Sequence, residues 1–590
     1  MIALGLGMNF IKPFISFIIS KGSTHVRTSQ FKRMAPLLLA ITLTLTSCGM
    51  VNKISDDFSE FSKGLRADLE ADNSVGFLGG LATDEPSATI AGQDALEAGG
   101  NAVDAAIAMA LVLPLCEPQS TGLFGDVFAL IQPSETDEII GINGSGKSPS
   151  NLNADFLRSK GHIHMPNLDV STITLPGAIA LFEELANKFG KLGLSELCSE
   201  PIKYAEEGVV VSPRVSFDWY QGCENFSSKT KEFYLINGKA PKPGDIFRAP
   251  GQAEVFRKIS SEGAKGFYQS EITEDFVNSL QKLGGLHTLE DFENIDVEYV
   301  NPVSLSLKDG SELFELPPNG QGVTALMMRR LTEICNLNKF SEASFERVHV
   351  EAEIAKLAYS ARDKFIGDPH FSEINHKFFL DDTFLENLAN KISMDKLIEP
   401  KVTHNLFEKS KDTVLITSAD KEGNSISLIF SIFDPFGSGL CSERFGLIFH
   451  NRGAGFVLEK DHPNELKAGK RPFHTIIPAI LKEKNGSLMP FGVMGGQYQA
   501  NGHARILSNI LDYKMDLQQS LNFQRSFYFN GYLSLEEGYG PEVEENLAKI
   551  GHKIDRPKKP IGGAQLVKYD SSGIMIGASD PRKDGCALGF

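Results

Sequence analysis

The 590-residue chain has one tryptophan, no internal repeat and no low-complexity tract, and its seven cysteines show no Cys-x-x-Cys spacing. Without such pairs there is no metal-type cysteine motif, and neither metal nor cofactor is expected. The formal charge of −17 argues against a nucleic-acid partner. Fifty-five glycines beside a single tryptophan predict many tight turns instead of long coiled helices. The rest of the composition, 42% hydrophobic and 23% charged, is that of a globular protein of one large or a few smaller domains. Beyond Cys48, the six cysteines Cys116, Cys198, Cys223, Cys335, Cys441 and Cys586 allow fifteen full pairings. Buried free thiols are the expected state for most of them.

The N-terminus stands apart. Met34 to Cys48 is apolar and follows Lys32 and Arg33, the layout of a secretory signal. Leu45-Thr-Ser-Cys48 resembles a bacterial lipobox, in which the cysteine is acylated. This predicts a leader over 1–48 with Cys48 as the lipidation site, then a tether over 49–81. The expected location is periplasmic, as a membrane-anchored lipoprotein of a Gram-negative bacterium. Plain secretion and a transmembrane anchor are the alternatives, although the apolar run is short for a span.

The most informative stretch is Thr413 to Ser431. Two apolar strands flank Lys421-Glu-Gly423, and three loop residues ending in Gly suit a type I turn closed by a left-handed glycine. That loop sets Asp420 against Asn424 and, counted outward, Thr413 against Ser431. A two-residue turn would shift the pairing by one and break the match. Two hydroxyls at the open end of an apolar hairpin need partners; an ordinary strand end is the bland alternative. Upstream, the polar segment 399–412 reads as an exposed linker, a place where a chain is cut without loss of packing.

Elsewhere, Ala91 to Leu113 reads as two helices broken at Gly99-Gly100, with Asn101 as cap of the second. Val127 to Ile131 and Glu138 to Ile142 form a hairpin. Gly141 to Ser148 satisfies the P-loop pattern, but Pro149 follows at once and biases Ser148 away from the helix that phosphate binding requires. Helices are expected over 178–189, 194–207, 251–262, 272–283, 323–334, 345–365, 382–392 and 504–513. Further strands are expected over 444–451, 478–482 and 488–493.

The segment Thr413 to Asn424, followed in order by Phe436-Gly-Ser-Gly439, Lys470-Arg-Pro472 and Gly495-Gly496, resembles the small subunit of γ-glutamyltranspeptidases. The likeness extends upstream to about Ala82. It implies the N-terminal nucleophile hydrolase fold, an α+β four-layer αββα sandwich of two antiparallel sheets between helical layers. It also implies one precursor cut between Asp412 and Thr413 into a large subunit, 82–412, and a small catalytic subunit, 413–590, which pair as a heterodimer within one αββα domain. Thr413 would then be the nucleophile, because a free α-amine titrating near ~7.7–8.0 supplies its base. By the same resemblance Ser431 holds the Thr413 hydroxyl, and the N–H groups of Gly495 and Gly496 stabilise the oxyanion. An ordinary turn is the alternative for the glycine pair.

The recognition residues depart from the family pattern. Ser145 stands where the family has a carboxylate-binding Arg, with Lys147 nearby. Phe433 replaces an Asn and His474-Thr475 a pair of Ser. The acid that grips a substrate ammonium falls at Ala454 or Gly455, and Arg452 replaces an amine-accepting Gln or Glu. A guanidinium in place of an anion suits an acyl group bearing a carboxylate that faces Arg452; a structural ion pair is the alternative. Branches that are cephalosporin acylase-like or oxamate amidohydrolase-like are similar in this respect. The leading function is a self-processing amidohydrolase acting on a small-molecule amide through an acyl-Thr intermediate, with or without transfer to an amine acceptor. The alternatives are a glutathione hydrolase with an altered pocket and an unprocessed lipoprotein acting as a binding module.

Overall fold

The computed structural model describes residues 73–373, 376–399 and 413–590. The leader and Cys48, most of the tether, the linker and Asp412 lie outside the described residues.

Two seven-stranded antiparallel sheets form the middle of the fold. The sheet that carries Thr413 runs Cys586–Gly589, Gly79–Thr83, Val414–Asp420, Ser425–Ser431, Asp126–Gln132, Ile140–Gly144, Glu298–Val300. The facing sheet runs Ser74–Gly76, Met575–Ser579, Gly563–Tyr569, Leu488–Met494, Pro478–Lys482, Glu312–Glu315, Val303–Ser306. Leu415 and Ile429 of the first sheet pack with Ile480, Leu488 and Met494 of the second. On the outer face of the first sheet, Val414, Ile416, Leu428 and Phe430 pack against helices Ala102–Cys116 and Ala178–Phe189. Ala479, Leu481, Phe491 and Val493 pack against helices Gly322–Ile334, Phe345–Phe365 and Tyr498–Leu507. These are the four layers expected.

The central hairpin is buried on both faces, so its apolar residues alone say little about register. The turn says more. Ala419 pairs with Ser425 and Val414 with Phe430, and one further step sets Thr413 against Ser431. Gly423 is left-handed at φ 97° and donates to the Asp420 carbonyl at 3.0 Å. The Asp420 carboxylate accepts from Glu422 N, Asn424 N and Asn424 Nδ2, and also from Ala102 N at 2.8 Å. One side chain thus closes the turn and takes up an otherwise orphaned N–H at the start of helix Ala102–Cys116.

Three expectations are corrected. No strand forms over 444–451: Gly446 is left-handed at φ 69°, the chain turns there, and only the bridge between Cys441 and Ile448 remains. The helix expected at 504–513 starts at Tyr498, ends at Leu507 and continues as a π-turn over Ser508–Asp512. The 194–207 helix breaks at Cys198. The six cysteines beyond Cys48 are free, and among the described residues no helix is long and apolar enough to cross a membrane.

Asp420→Ala removes four hydrogen bonds at a buried carboxylate and should cost about 2–4 kcal/mol. Urea unfolding checks this, with the half-exposed Glu422→Ala as a control expected to change little.

Candidate active site

Side chains alternate across a strand, so Thr413 shares the inter-sheet face with Leu415, and Ser431 shares it with Ile429. Both hydroxyl residues are buried. Beyond Ser431 the backbone turns sharply: Phe433 N donates to Ser431 Oγ at 2.9 Å, and Phe433 is left-handed at φ 82°. Such a conformation in a bulky residue stores strain of the order of ~1–3 kcal/mol and is held by its surroundings.

The facing sheet supplies the glycine pair. Ser427 Oγ donates to the Phe491 carbonyl at 2.9 Å, and Leu415 lies over Gly492. The same direction along both sheets leads on to Thr413 and to Met494-Gly495-Gly496. Gly495 and Gly496 have φ 122° and 57°, between the end of strand Leu488–Met494 and the start of helix Tyr498–Leu507. A Cβ on Gly495 would lie 2.8 Å from Gly562 Cα, so this bend admits only glycine. Gly495 lines a cleft of about 710 Å³ together with Asp434, Gln497, Tyr498, Gly562 and Lys583.

Behind the hairpin lies a buried ionic cluster that sequence reading did not find. Asp126, which pairs with Ser431 in the sheet, has Oδ2 3.1 Å from His450 Nδ1, 3.2 Å from Arg452 Nε and 3.4 Å from His474 Nε2. Its Oδ1 accepts from Gly146 N at 2.7 Å. Burial by itself would raise the Asp126 carboxyl, but His450 and His474 hold it well below the usual carboxylate range. Burial, reinforced by Arg452, lowers His474 to about 4, so His474 is neutral at neutral pH. Burial also lowers the Arg452 guanidinium, against the pull of Asp126. His450 Nε2 lies 2.8 Å from the Thr174 carbonyl, so both of its ring nitrogens face oxygen.

Arg452 stacks over the Phe433 ring at 4.8 Å. Among the described residues its Nη1 and Nη2 are buried without hydrogen-bond partners, as are Thr475 Oγ1, Gln497 Nε2 and Tyr498 OH. Of these residues, Gln497 and Tyr498 line the cleft. Ser145 is not presented in this way: its N and Oγ both donate to Asn143 Oδ1, and its Oγ accepts from Asn319 Nδ2. Lys147 is spent on Asp296 at 2.8 Å. No helix follows Lys147-Ser148; the next one is Ala154–Ser159. Gly146 is needed because a Cβ there would sit 1.4 Å from the Leu175 carbonyl oxygen.

A second set of charges lies under the strand that follows Thr413. Asp84 accepts from Leu415 N at 3.1 Å and from Gln565 Nε2 at 2.8 Å. Burial raises it to about 6 despite Lys583, and burial raises the neighbouring Glu117 well above its ordinary value. Asp84, Asp126, His450 and Lys583 carry no motif of their own; they come together only through the fold.

The sequence profile described as Gamma-glutamyltranspeptidase matches residues 88–590. The chain is 31% identical over 514 residues to the glutathione hydrolase-like YwrD proenzyme of Bacillus subtilis, covering 85% of this chain and 97% of the relative. It is 29% identical to the oxamate amidohydrolase proenzyme of Klebsiella pneumoniae, covering 84% and 95%. The crystal structure of cephalosporin acylase from Bacillus halodurans superposes with a TM-score of 0.81 at 31% identity, covering 88% of this chain and 97% of that one.

The folded pKa of His474 lies below its unfolded value near 6.5. Its stabilising contribution is therefore complete above pH 6.5 and lost as pH falls through about 4. Between pH 6.5 and 4.5 the loss from this residue is about 2 kcal/mol, and His474→Gln should flatten the fall in unfolding free energy over that window, read by urea denaturation at each pH.

Proposed function

The chain belongs to the gamma-glutamyltranspeptidase family and is an amidohydrolase of that family, and on that premise we propose that it cuts itself before Thr413 and uses the new terminus as its nucleophile. Three relatives and neighbours, a glutathione hydrolase-like proenzyme, an oxamate amidohydrolase proenzyme and a cephalosporin acylase, support amide cleavage, and the two proenzyme names support self-processing. The observation that carries the reading is the register Val414–Phe430, which one step on sets Thr413 opposite Ser431, with Gly495-Gly496 just past the end of strand Leu488–Met494 in the facing sheet.

In the precursor the Thr413 nitrogen is an amide and no base. Attack of the Thr413 hydroxyl on the Asp412 carbonyl, with transfer of the chain from nitrogen to oxygen, gives an ester; water then releases the fragment 413–590 with a free α-amine. In turnover this amine takes the hydroxyl proton as Oγ1 attacks the substrate carbonyl. Backbone N–H groups of Gly495 and Gly496 stabilise the oxyanion, each worth about 3 kcal/mol. The amine proton passes to the leaving nitrogen, and water, or an amine acceptor, resolves the acyl-Thr ester.

For the acyl group we propose a carboxylate received by Arg452. Nε is committed to Asp126, which fixes the fork, and Nη1 and Nη2 are the two parallel donors a carboxylate takes.

Denaturing electrophoresis with N-terminal sequencing tests the first proposal: a band beginning Thr-Val-Leu-Ile is expected, and Thr413→Ala abolishes both the split and all turnover. A single intact band in an active preparation would sink it. Rates on glutaryl anilide against butyryl anilide test the second. The glutaryl compound should be favoured, and Arg452→Lys should lower its kcat/KM by about 10- to 100-fold. Equal rates on the two anilides, or no effect of the substitution, refute the carboxylate assignment while leaving self-processing intact.

A further inference from the structure

Outside the cleft, three buried ligand-type side chains converge. His349 and Glu353 lie one turn apart on a single face of helix Phe345–Phe365, and His552 comes from the loop after helix Pro541–Ile550. All three are buried, and one ligand atom from each lies within 4.8 Å of the others. His349 Nδ1 is 2.8 Å from His552 Nε2. On the other edge of its ring, His349 Nε2 is 2.8 Å from the Ser393 carbonyl oxygen.

That carbonyl can only accept. Nε2 of His349 therefore carries the proton, and Nδ1 presents a lone pair to the cluster. Metal-ligating histidines are oriented in this way, by donating their second N–H to a carbonyl or carboxylate. Glu353 is anchored similarly, since Oε2 accepts from Ile398 N at 2.6 Å. His552 has a ring nitrogen, Nδ1, that is buried without a hydrogen-bond partner among the described residues.

We propose that His349 Nδ1, His552 Nε2 and Glu353 Oε1 bind a zinc ion. Two imidazoles and a carboxylate form a borderline-soft donor set that suits Zn²⁺, and a water completes a tetrahedral shell. The proton that His552 Nε2 lends to His349 moves to His552 Nδ1, so no proton leaves the site. Lys356 Nζ, 2.6 Å from Glu353 Oε1, is the cation that the metal displaces. It already lies 4.4 Å from the centre of the Tyr528 ring, which holds it once the carboxylate is taken. His349 and Glu353 precede Thr413 and His552 follows it, so the ion ties the two chains together; that consequence alone rests on the self-processing proposed above.

The test is metal content. Full-length protein is stripped with EDTA, dialysed against Zn²⁺ and measured by inductively coupled plasma mass spectrometry. One equivalent is expected in the wild type and equally in Thr413→Ala, so the result does not depend on cleavage. Co²⁺ in place of Zn²⁺ should give the visible bands of a tetrahedral site. His552→Gln and His349→Gln should each weaken binding by about tenfold or more, whereas Lys356→Met should tighten it by removing the competing ammonium. Folding is followed by circular dichroism, and Glu353→Gln is read in place of a histidine variant that does not fold. No bound equivalent on the folded wild type, or full retention in the folded ligand variants, overturns the proposal.

Discussion

A single carboxylate, that of Asp420, fixes where the hydroxyl of Thr413 points. It collects N–H donors from its own turn and from the first turn of helix Ala102–Cys116, and so locks the hairpin both internally and against the helical layer. The strands cannot do this alone, because apolar residues cover both of their faces. A slip of one residue would turn every side chain over. Thr413 would then face the helices and Val414 would take its place between the sheets. The turn lies seven residues from Thr413, roughly 23 Å along an extended chain, yet it decides which side chain lies between the sheets.

The strand beside that hairpin carries the second constraint, the fully buried ion pair of Asp126 with Arg452. Removing a carboxylate and a guanidinium from water is costly, and leaving either of them alone is costlier still, about 3–5 kcal/mol. Asp126 meets that demand by gathering His450, Arg452, His474 and the backbone of Gly146 around one carboxylate. The cluster therefore stitches strand Asp126–Gln132 to three separate loops. It also leaves Arg452 rigid, stacked on Phe433 and short of partners at its tip.

What the sequence made legible, and what it hid, follows from the range of the interactions. The Lys421-Glu-Gly423 turn, the Asn101 cap and the helix Phe345–Phe365 rest on contacts within a few residues, and each appears as read. The pattern over 444–451 misleads because Gly446 reverses the chain against Phe233, a contact more than two hundred residues away. Asn501 and Gly502 look like breakers and delay the expected helix. Gly502 is instead the point where the helix approaches Val493, with no room for a side chain. Asp126 was invisible for the same reason, since its partners are scattered from Gly146 to His474 and only the sheet brings them together. Among the recognition residues, Arg452 and Thr475 present orphaned polar atoms, whereas Ser145 is absorbed into a network of Asn side chains.

The charges under the strand that follows Thr413 bear on the base that the proposed chemistry needs. An α-amine works as a base only while neutral, and its ordinary pKa near ~7.7–8.0 already suits that task. Two ionised carboxylates beneath it would raise that value and keep the amine protonated. Burial avoids this. Glu117 is pushed well above its usual range by burial, while Asp84, raised to about 6, faces the ammonium of Lys583. Both effects weaken the negative field beneath Thr413 and so favour the neutral amine that the proposed chemistry needs.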